Sequence, residues 1–289
     1  MQMIDTFYQE VLDQHCGAEI LQTSRTVGGG CINNAVRLAT HDNTYFLKWN
    51  QAKENDLFVT EAKGLSILRK KGPIRLPEVL GQGEKKGKAY LLLDWIETGH
   101  PTHRSWESFG KGLAQLHQAS AQHFGLDHNN YIGRLVQHND LHTNWADFFR
   151  QERLEPQLRL ASSKRLVDRE LRASFDRLFP MLDQLIPAEP PALLPGDLWS
   201  GNFMMDQDGN PVLVDPAIHF GHRETEIAFT HLFGGFDKQF YAAYNDHFPL
   251  VSGFEERIDI HNLYPLLVHV NLFGSSYLSG IKQTLRRFT

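Results

Sequence analysis

A chain of 289 residues that is 41% hydrophobic, 22% charged and 11% aromatic has globular composition, which excludes disordered, collagenous and coiled-coil proteins and leaves room for about two lobes. The net charge of −5 argues against nonspecific nucleic-acid binding, and two cysteines, Cys16 and Cys31, exclude a disulfide scaffold. No apolar run reaches the roughly 18 residues of a membrane span, since the longest, 263–273, is broken by Pro265, His269 and Asn271.

In chain order, apolar residues at helical spacing (Ile4, Phe7, Val11, Leu12) predict a helix over 4–16. Strands follow at 24–27, 32–40 and 45–49, the first two separated by Gly28-Gly29-Gly30 and the last two by the turn His41-Asp42-Asn43. A helix over 57–71 is stopped by Gly72-Pro73, and two more strands, 79–83 and 89–96, flank a Lys/Gly turn. After residue 97 the pattern becomes helical, at 105–119, 145–160, 167–186, 222–247 and 255–287. The exception is a strand-and-turn island over 193–217. The expected fold class is therefore α+β. A small antiparallel sheet lobe with one helix (1–97) precedes a larger, mainly helical lobe (98–289), with the boundary at Glu97–His100.

The N-terminus, Met1 to Glu10, has acids but neither a basic region nor a long apolar core, so the expectation is a cytoplasmic protein. Residues 1–97 hold 12 basic and 12 acidic side chains, whereas 98–289 hold 17 and 22, so the whole net charge lies in the second part. Such a field favours a cationic or amine-bearing partner; the plainer account is a solvated acidic surface.

The island carries the chemistry. Gln207-Asp208-Gly209-Asn210 is a strong turn signal, and a hairpin closed by those four residues sets Asp206 opposite Pro211 and Asn202 opposite Asp215. Opposed residues have Cβ atoms about 4.5–5.5 Å apart, so an amide oxygen and a carboxylate meet there. Both are hard oxygen ligands suited to Mg²⁺ holding phosphates. Asp197, on the loop entering this site, is placed to accept the proton of a substrate hydroxyl, which is the layout of phosphoryl transfer.

The first part supplies the matching pieces. Gly28, Gly29 and Gly30 allow backbone N–H groups to approach phosphate oxygens closely. Lys48 lies in the apolar strand Tyr45–Trp49, and Glu61 shares a helix face with Leu65 and Leu68. Each charge needs a partner in such surroundings, and pairing them satisfies both while aiming the ammonium at nucleotide phosphates. The strand end Asp94-Trp95-Ile96 at the lobe boundary offers backbone groups to an adenine edge.

This order of parts resembles the protein-kinase-like fold, and Gly196-Asp-Leu-Trp-Ser-Gly-Asn202 with Asp215-Pro-Ala resembles its small-molecule branch of aminoglycoside and choline kinases. Further stretches are similar to the fructosamine (ketoamine) kinase family over about residues 5 to 288. They are Gly29-Gly-Cys-Ile-Asn33, Asn130-Tyr-Ile-Gly133, Trp145-Ala-Asp-Phe-Phe149, Arg153-Leu-Glu-Pro-Gln-Leu158, Phe220-Gly-His-Arg-Glu224, Phe233-Gly-Gly-Phe236 and Asn271-Leu-Phe-Gly274. The resemblance implies ATP and Mg²⁺ as cofactors and phosphorylation of the sugar 3-hydroxyl of ketoamines such as ribulosamines or fructosamines. The product then breaks down and frees the amine, a deglycation repair. It also implies that Trp199 forms a wall for the sugar or its amine tail. Of Glu224 and Glu226, one is expected to stabilise the catalytic loop or meet a substrate ammonium, with Glu224 the weak substrate candidate and Glu226 structural. One departure stands out, because the family pattern has His before Gly-Asp and this chain has Pro195, which brings no side-chain donor.

The alternatives are a kinase for an aminoglycoside or amino-alcohol acceptor and a nucleotide-binding pseudokinase acting as a scaffold. His138 and His142 have the i, i+4 spacing of a zinc pair but no third ligand, which favours plain loop histidines. Cys31 on the glycine loop is a candidate redox thiol, since phosphate-binding amides lower a thiol pKa. The expected state is a monomer or a redox-linked homodimer, with a small-molecule partner and neither nucleic acid nor membrane.

Overall fold

The computed structural model describes residues 5–28, 33–51 and 56–288. Helix α1 (Thr6–His15) is capped by Asp5, whose carboxylate accepts the Phe7 N–H at 2.9 Å. Strands β1 (Thr23–Thr26), β2 (Asn34–Ala39), β3 (Thr44–Gln51), β4 (Val79–Lys85) and β5 (Lys88–Asp94) form one antiparallel sheet in the order β1-β2-β3-β5-β4. Alternate residues of β2, β3 and β5 (Val36, Leu38, Leu47, Tyr90, Leu92) pack with Phe7, Val11 and Leu12 of α1 on one face.

Helix α2 (Leu57–Lys71) joins β3 to β4. Its Leu57, Phe58, Leu65 and Leu68 belong to a core shared with Leu91 and Leu93 of β5 and with Phe109 and Leu113 of α3 (His103–His117). Its N-cap and second turn are fastened outward as well. Tyr131 donates its hydroxyl hydrogen to Asp56 at 2.9 Å, and Lys63 lies 3.0 Å from His128 and 3.5 Å from Asp127. A Cβ on Gly64 would stand 3.5 Å from Ile218.

The remaining chain carries β6 (Asn130–Ile132), β7 (Leu135–Gln137), α4 (Trp145–Phe148), α5 (Glu155–Ser163), α6 (Arg169–Leu178), α7 (Leu182–Leu185), β8 (Ala192–Leu194), β9 (Phe203–Met205), β10 (Pro211–Leu213) and β11 (His219–Gly221). It ends with α8 (Arg223–Leu232), α9 (Lys238–His247), α10 (Phe254–His261), α11 (Leu263–Phe273) and α12 (Leu278–Leu285). Helices α3 and α9 approach closely, because a Cβ on Gly110 would meet the Phe240 carbonyl oxygen at 2.2 Å and only glycine fits.

The expected long helices are broken where the sequence has reason to break them. The stretch 145–160 is helical throughout, but Phe149–Leu154 is a π-helical turn just before Pro156, which has no N–H to give to the preceding turn. Pro180 splits 167–186 into α6 and α7. Gly234 and Gly235, with φ of 98° and 70°, end α8, and Gly274 at 102° ends α11. The hairpin β6–β7 and the pairing of β11 with β8 were not expected, since three-residue strands leave too little alternation to read.

Candidate active site

The β9–β10 hairpin carries one correction. Phe203 pairs with Leu213 and Met205 with Pro211, so Asn202 opposes Val214 and not Asp215, with Val214 N–H donating to the Asn202 carbonyl at 3.1 Å. The loop is one residue shorter than the turn signal indicates. The Asp206 carboxylate accepts the N–H groups of Asp208 (3.0 Å) and Asn210 (2.8 Å), which pulls Asn210 into pairing with Asp206, and Gly209 takes φ of 80°. A one-residue slip normally turns a side chain to the other face. Here the strand ends at Leu213 and Asp215 adopts φ of 51°, a left-handed conformation rare outside glycine, so alternation does not carry through to it. Arg75, between α2 and β4, binds Asp206 at 2.7 Å, and the Gly99 N–H, in the segment that leaves β5, donates to the Met205 carbonyl at 2.8 Å, fixing the hairpin to both.

Asp197 and Asn202 are in contact. The Asn202 Nδ2 donates to the Asp197 carbonyl (2.9 Å) and carboxylate (2.7 Å), which leaves Asn202 Oδ1 without a protein donor among the described residues. Asp215 accepts from Lys48 at 2.6 Å, and Lys48 also donates to Glu61 at 2.7 Å. Burial pushes Lys48 toward the neutral form, but Asp215 and then Glu61 outweigh it and hold the ammonium above its ordinary value. Burial, then the charges of Glu226 and Asp215, push the Asp197 carboxyl well above the usual carboxylate range. Asn202 touches Asp197 and Asp215 acts on it through its charge, so all three share one locality.

Two acids just past the hairpin part company. Glu226 is buried on α8 and accepts the N–H groups of Gly196 (2.7 Å) and Leu198 (2.9 Å), clamping the loop on either side of Asp197. Burial, against these two bonds, raises its carboxyl to about 7. Glu224 is corrected as a substrate candidate, because it is 0% exposed and fully engaged. Arg257 grips both its oxygens at 2.6 and 2.8 Å, and His261 lies 3.1 Å away. His222 completes a His–Glu–His cluster within 4.8 Å, but its Nε2 donates to the Pro187 carbonyl and its Nδ1 accepts the Glu224 N–H. The groups a cation would need are spent on protein hydrogen bonds, and Arg257 holds the carboxylate.

Of the other expected site residues, Gly28 is exposed after β1, while Gly29, Gly30 and Cys31 lie outside the described residues. Asp94 ends β5 and accepts the Glu78 N–H at 2.5 Å; Trp95 carries the Arg37 guanidinium 5.2 Å above its ring; Ile96 is buried. Trp199 is half-buried and packs edge-on against Phe233 at 6.0 Å. His138 and His142 share no ligand site, since His142 faces Glu152 at 3.0 Å and His138 is exposed, with its carbonyl accepting from Arg153. Sequence reasoning missed Arg153 and His219, both buried in the wall of a cavity that Asp197 also lines; neither stands in a motif that reads as chemistry.

A family model described as fructosamine kinase matches residues 3–289. A Synechocystis sp. protein carrying a ketoamine kinase name is 40% identical over 269 residues, covering 92% of this chain and 90% of its own. The chloroplastic protein-ribulosamine 3-kinase of Arabidopsis thaliana is 34% identical over 88% of this chain and 79% of its own. A Thermobifida fusca crystal structure carrying a fructosamine-3-kinase name superposes with a TM-score of 0.87 at 33% identity, covering 96% of each chain. The aminoglycoside phosphotransferase APH(4)-Ia shares the fold, with a TM-score of 0.63 at 16% identity over 98% of this chain and 99% of its own.

Proposed function

The chain belongs to the fructosamine kinase family, and from that premise we propose that it transfers the γ-phosphoryl group of ATP to the 3-hydroxyl of a ketoamine such as a ribulosamine or fructosamine. The phosphorylated adduct then breaks down and releases the amine, which is a deglycation repair in the cytoplasm. The carrying observation is the Asp197–Asn202 contact beside Asp215, with Asp215 tied through Lys48 to Glu61. In this reading residues 1–97 hold the nucleotide and residues 98–289 the acceptor.

Each group has a distinct task. Asn202 Nδ2 fixes one oxygen of Asp197, so the other faces the acceptor. That free carboxylate oxygen is the group placed to accept the proton of a sugar hydroxyl. Lys48, kept cationic by two carboxylates, faces the phosphates, and the glycines after β1 supply backbone N–H groups to them. Asn202 Oδ1 and the Asp215 carboxylate are hard oxygens and fit Mg²⁺, which when bound neutralises charge on the phosphoryl group. The N–H groups of Asp94 and Trp95 already donate to the Glu78 and Thr44 carbonyls, so this segment meets the adenine edge through its Ile96 N–H and its carbonyls, and Trp199 walls the acceptor.

The test is transfer from ATP to ribulosamine, fructosamine, aminoglycoside and amino-alcohol acceptors. Phosphorylation of the ketoamines ahead of the others is expected. Transfer to an aminoglycoside alone, or ATP binding with no transfer to any acceptor, overturns it.

A further inference from the structure

Asp197 also borders a narrow cavity of about 20 Å³, walled among others by Trp145, Arg153, His219, Glu226 and Tyr264. Three atoms of that wall, Trp145 Nε1, Arg153 Nε and His219 Nε2, are buried with no hydrogen-bond partner among the described residues. Their residues are 5%, 1% and 3% exposed. Phe148 gathers them. Its ring stacks on His219 at 5.8 Å, carries the Arg153 guanidinium at 4.5 Å, and packs on Trp145 at 5.4 Å. Three unpaired buried polar atoms on residues that wall one small space point to something that pairs them, since each left alone costs the full desolvation of its group.

Their chemistry says what fits. Trp145 and Arg153 are donors only. His219 Nδ1 lies 3.4 Å from the Ala217 carbonyl, so Nδ1 carries the proton and Nε2 offers a lone pair. An anion would meet that lone pair and the carboxylates of Asp197 and Glu226. A water accepts from Trp145 and Arg153, donates to His219 and keeps a second hydrogen for Asp197. About 20 Å³ is room for one water.

The backbone delivers His219 to this place. Strand β11 pairs His219 with Leu194 of β8, two residues before Gly196, and a Cβ on Gly196 would stand 3.3 Å from His219 Nδ1. Pro195, between them in the loop, has no side-chain donor of its own. We infer that His219 is a positioning residue for Asp197, acting through one buried water that Trp145 and Arg153 also hold. The inference rests on Asp197 being the base of the proposed reaction.

The test joins kinetics to crystallography. His219→Phe keeps the stacking on Phe148 and removes the nitrogens. It is expected to lower kcat about tenfold, the worth of one hydrogen bond to a charged group, and to leave KM for ATP and the thermal midpoint near wild type. His219→Gln, whose amide reaches the level of Nε2, restores most of kcat, and His219→Asn, which reaches only Nδ1, does not. A high-resolution crystal structure of the wild type shows a solvent peak within hydrogen-bond distance of His219 Nε2, Trp145 Nε1 and Arg153 Nε. Full kcat in His219→Phe, equal losses in the Phe and Gln variants, or no such peak overturns the inference. A wild type that phosphorylates no acceptor counts against the proposed function, and the solvent peak still decides the cavity.

Discussion

Lys48 and Asp215, 167 residues apart in the chain, form an ion pair of 2.6 Å that joins the sheet to the hairpin. The same ammonium binds Glu61 at 2.7 Å, so one buried cation holds two acids from two other elements. Lys48→Met removes the phosphate-facing charge and leaves both acids unpartnered. The expected result is a fall in kcat of at least about 100-fold, with a lowered thermal midpoint. Near-normal turnover in steady-state assays removes Lys48 from the nucleotide site.

Asp197→Asn keeps the shape of the loop and its contact with Asn202 while removing the base. Loss of kcat by about 10²–10⁴-fold is expected, with ATP affinity by calorimetry close to wild type. A parallel loss of ATP binding places Asp197 in the nucleotide site and not at the acceptor.

Much of this site was legible in the chain, for physical reasons. Lys48 and Glu61 each sat on an apolar face, and a buried charge must find an opposite one, so their pairing followed from spacing alone. The hairpin register did not follow, because it turns on whether the Asp206 side chain caps the loop from within, and a turn signal is silent on that. Asp215 was read as a site residue, but its place relative to the hairpin was not, for a related reason. Asp tolerates a left-handed φ better than most residues, but only tertiary contacts decide that this Asp takes it. Arg153 was hidden by its neighbourhood, a polar run whose helix widens to a π-turn and carries it inside.

Glu226 clamps the loop through the Gly196 and Leu198 N–H groups. Glu226→Ala leaves both unpaired, at a cost of about 1–3 kcal/mol each, whereas Glu226→Gln still accepts them. Below about pH 4.3, urea unfolding should therefore rank wild type and Gln together, well above Ala. The folded carboxyl, pushed up by burial to about 7, exceeds its ordinary value of about 4.3, so the folded state holds the extra proton between them. Stability from this group falls as pH rises through that window, and the Gln variant flattens the fall.

Glu224 has the opposite sign. Burial pushes its carboxyl up, but hydrogen bonds from Arg257 and then His261 bring it down to about 2. Its contribution is complete above about pH 4.3 and is lost as pH falls through about 2. Glu224→Gln should lose about 3 kcal/mol at pH 7 in urea unfolding and approach wild type near pH 2. A constant difference across that range contradicts the ion-pair account.

The two cysteines are expected to differ under mild oxidation. Burial raises the Cys16 thiol, which keeps it unreactive. Oxidant should lower activity through Cys31 and give a dimer on non-reducing gels. Cys31→Ser abolishes both effects, Cys16→Ser neither, and reductant reverses them. Equal inactivation of wild type and Cys31→Ser makes the thiol a bystander.

Helix α2 has a further consequence through the way it is seated. Kinases that are switched commonly act by swinging the helix that carries the acid partner of the strand lysine, so that the pair opens and the enzyme rests. Here that helix is moored at Asp56 and Lys63, its middle lies against Ile218, and its apolar face is sunk in a core shared with α3. To open the Lys48–Glu61 pair, the protein must first tear out part of its own interior. On the proposed reading this axis gives the protein no resting position, so along it the rate follows the supply of ketoamine and nucleotide.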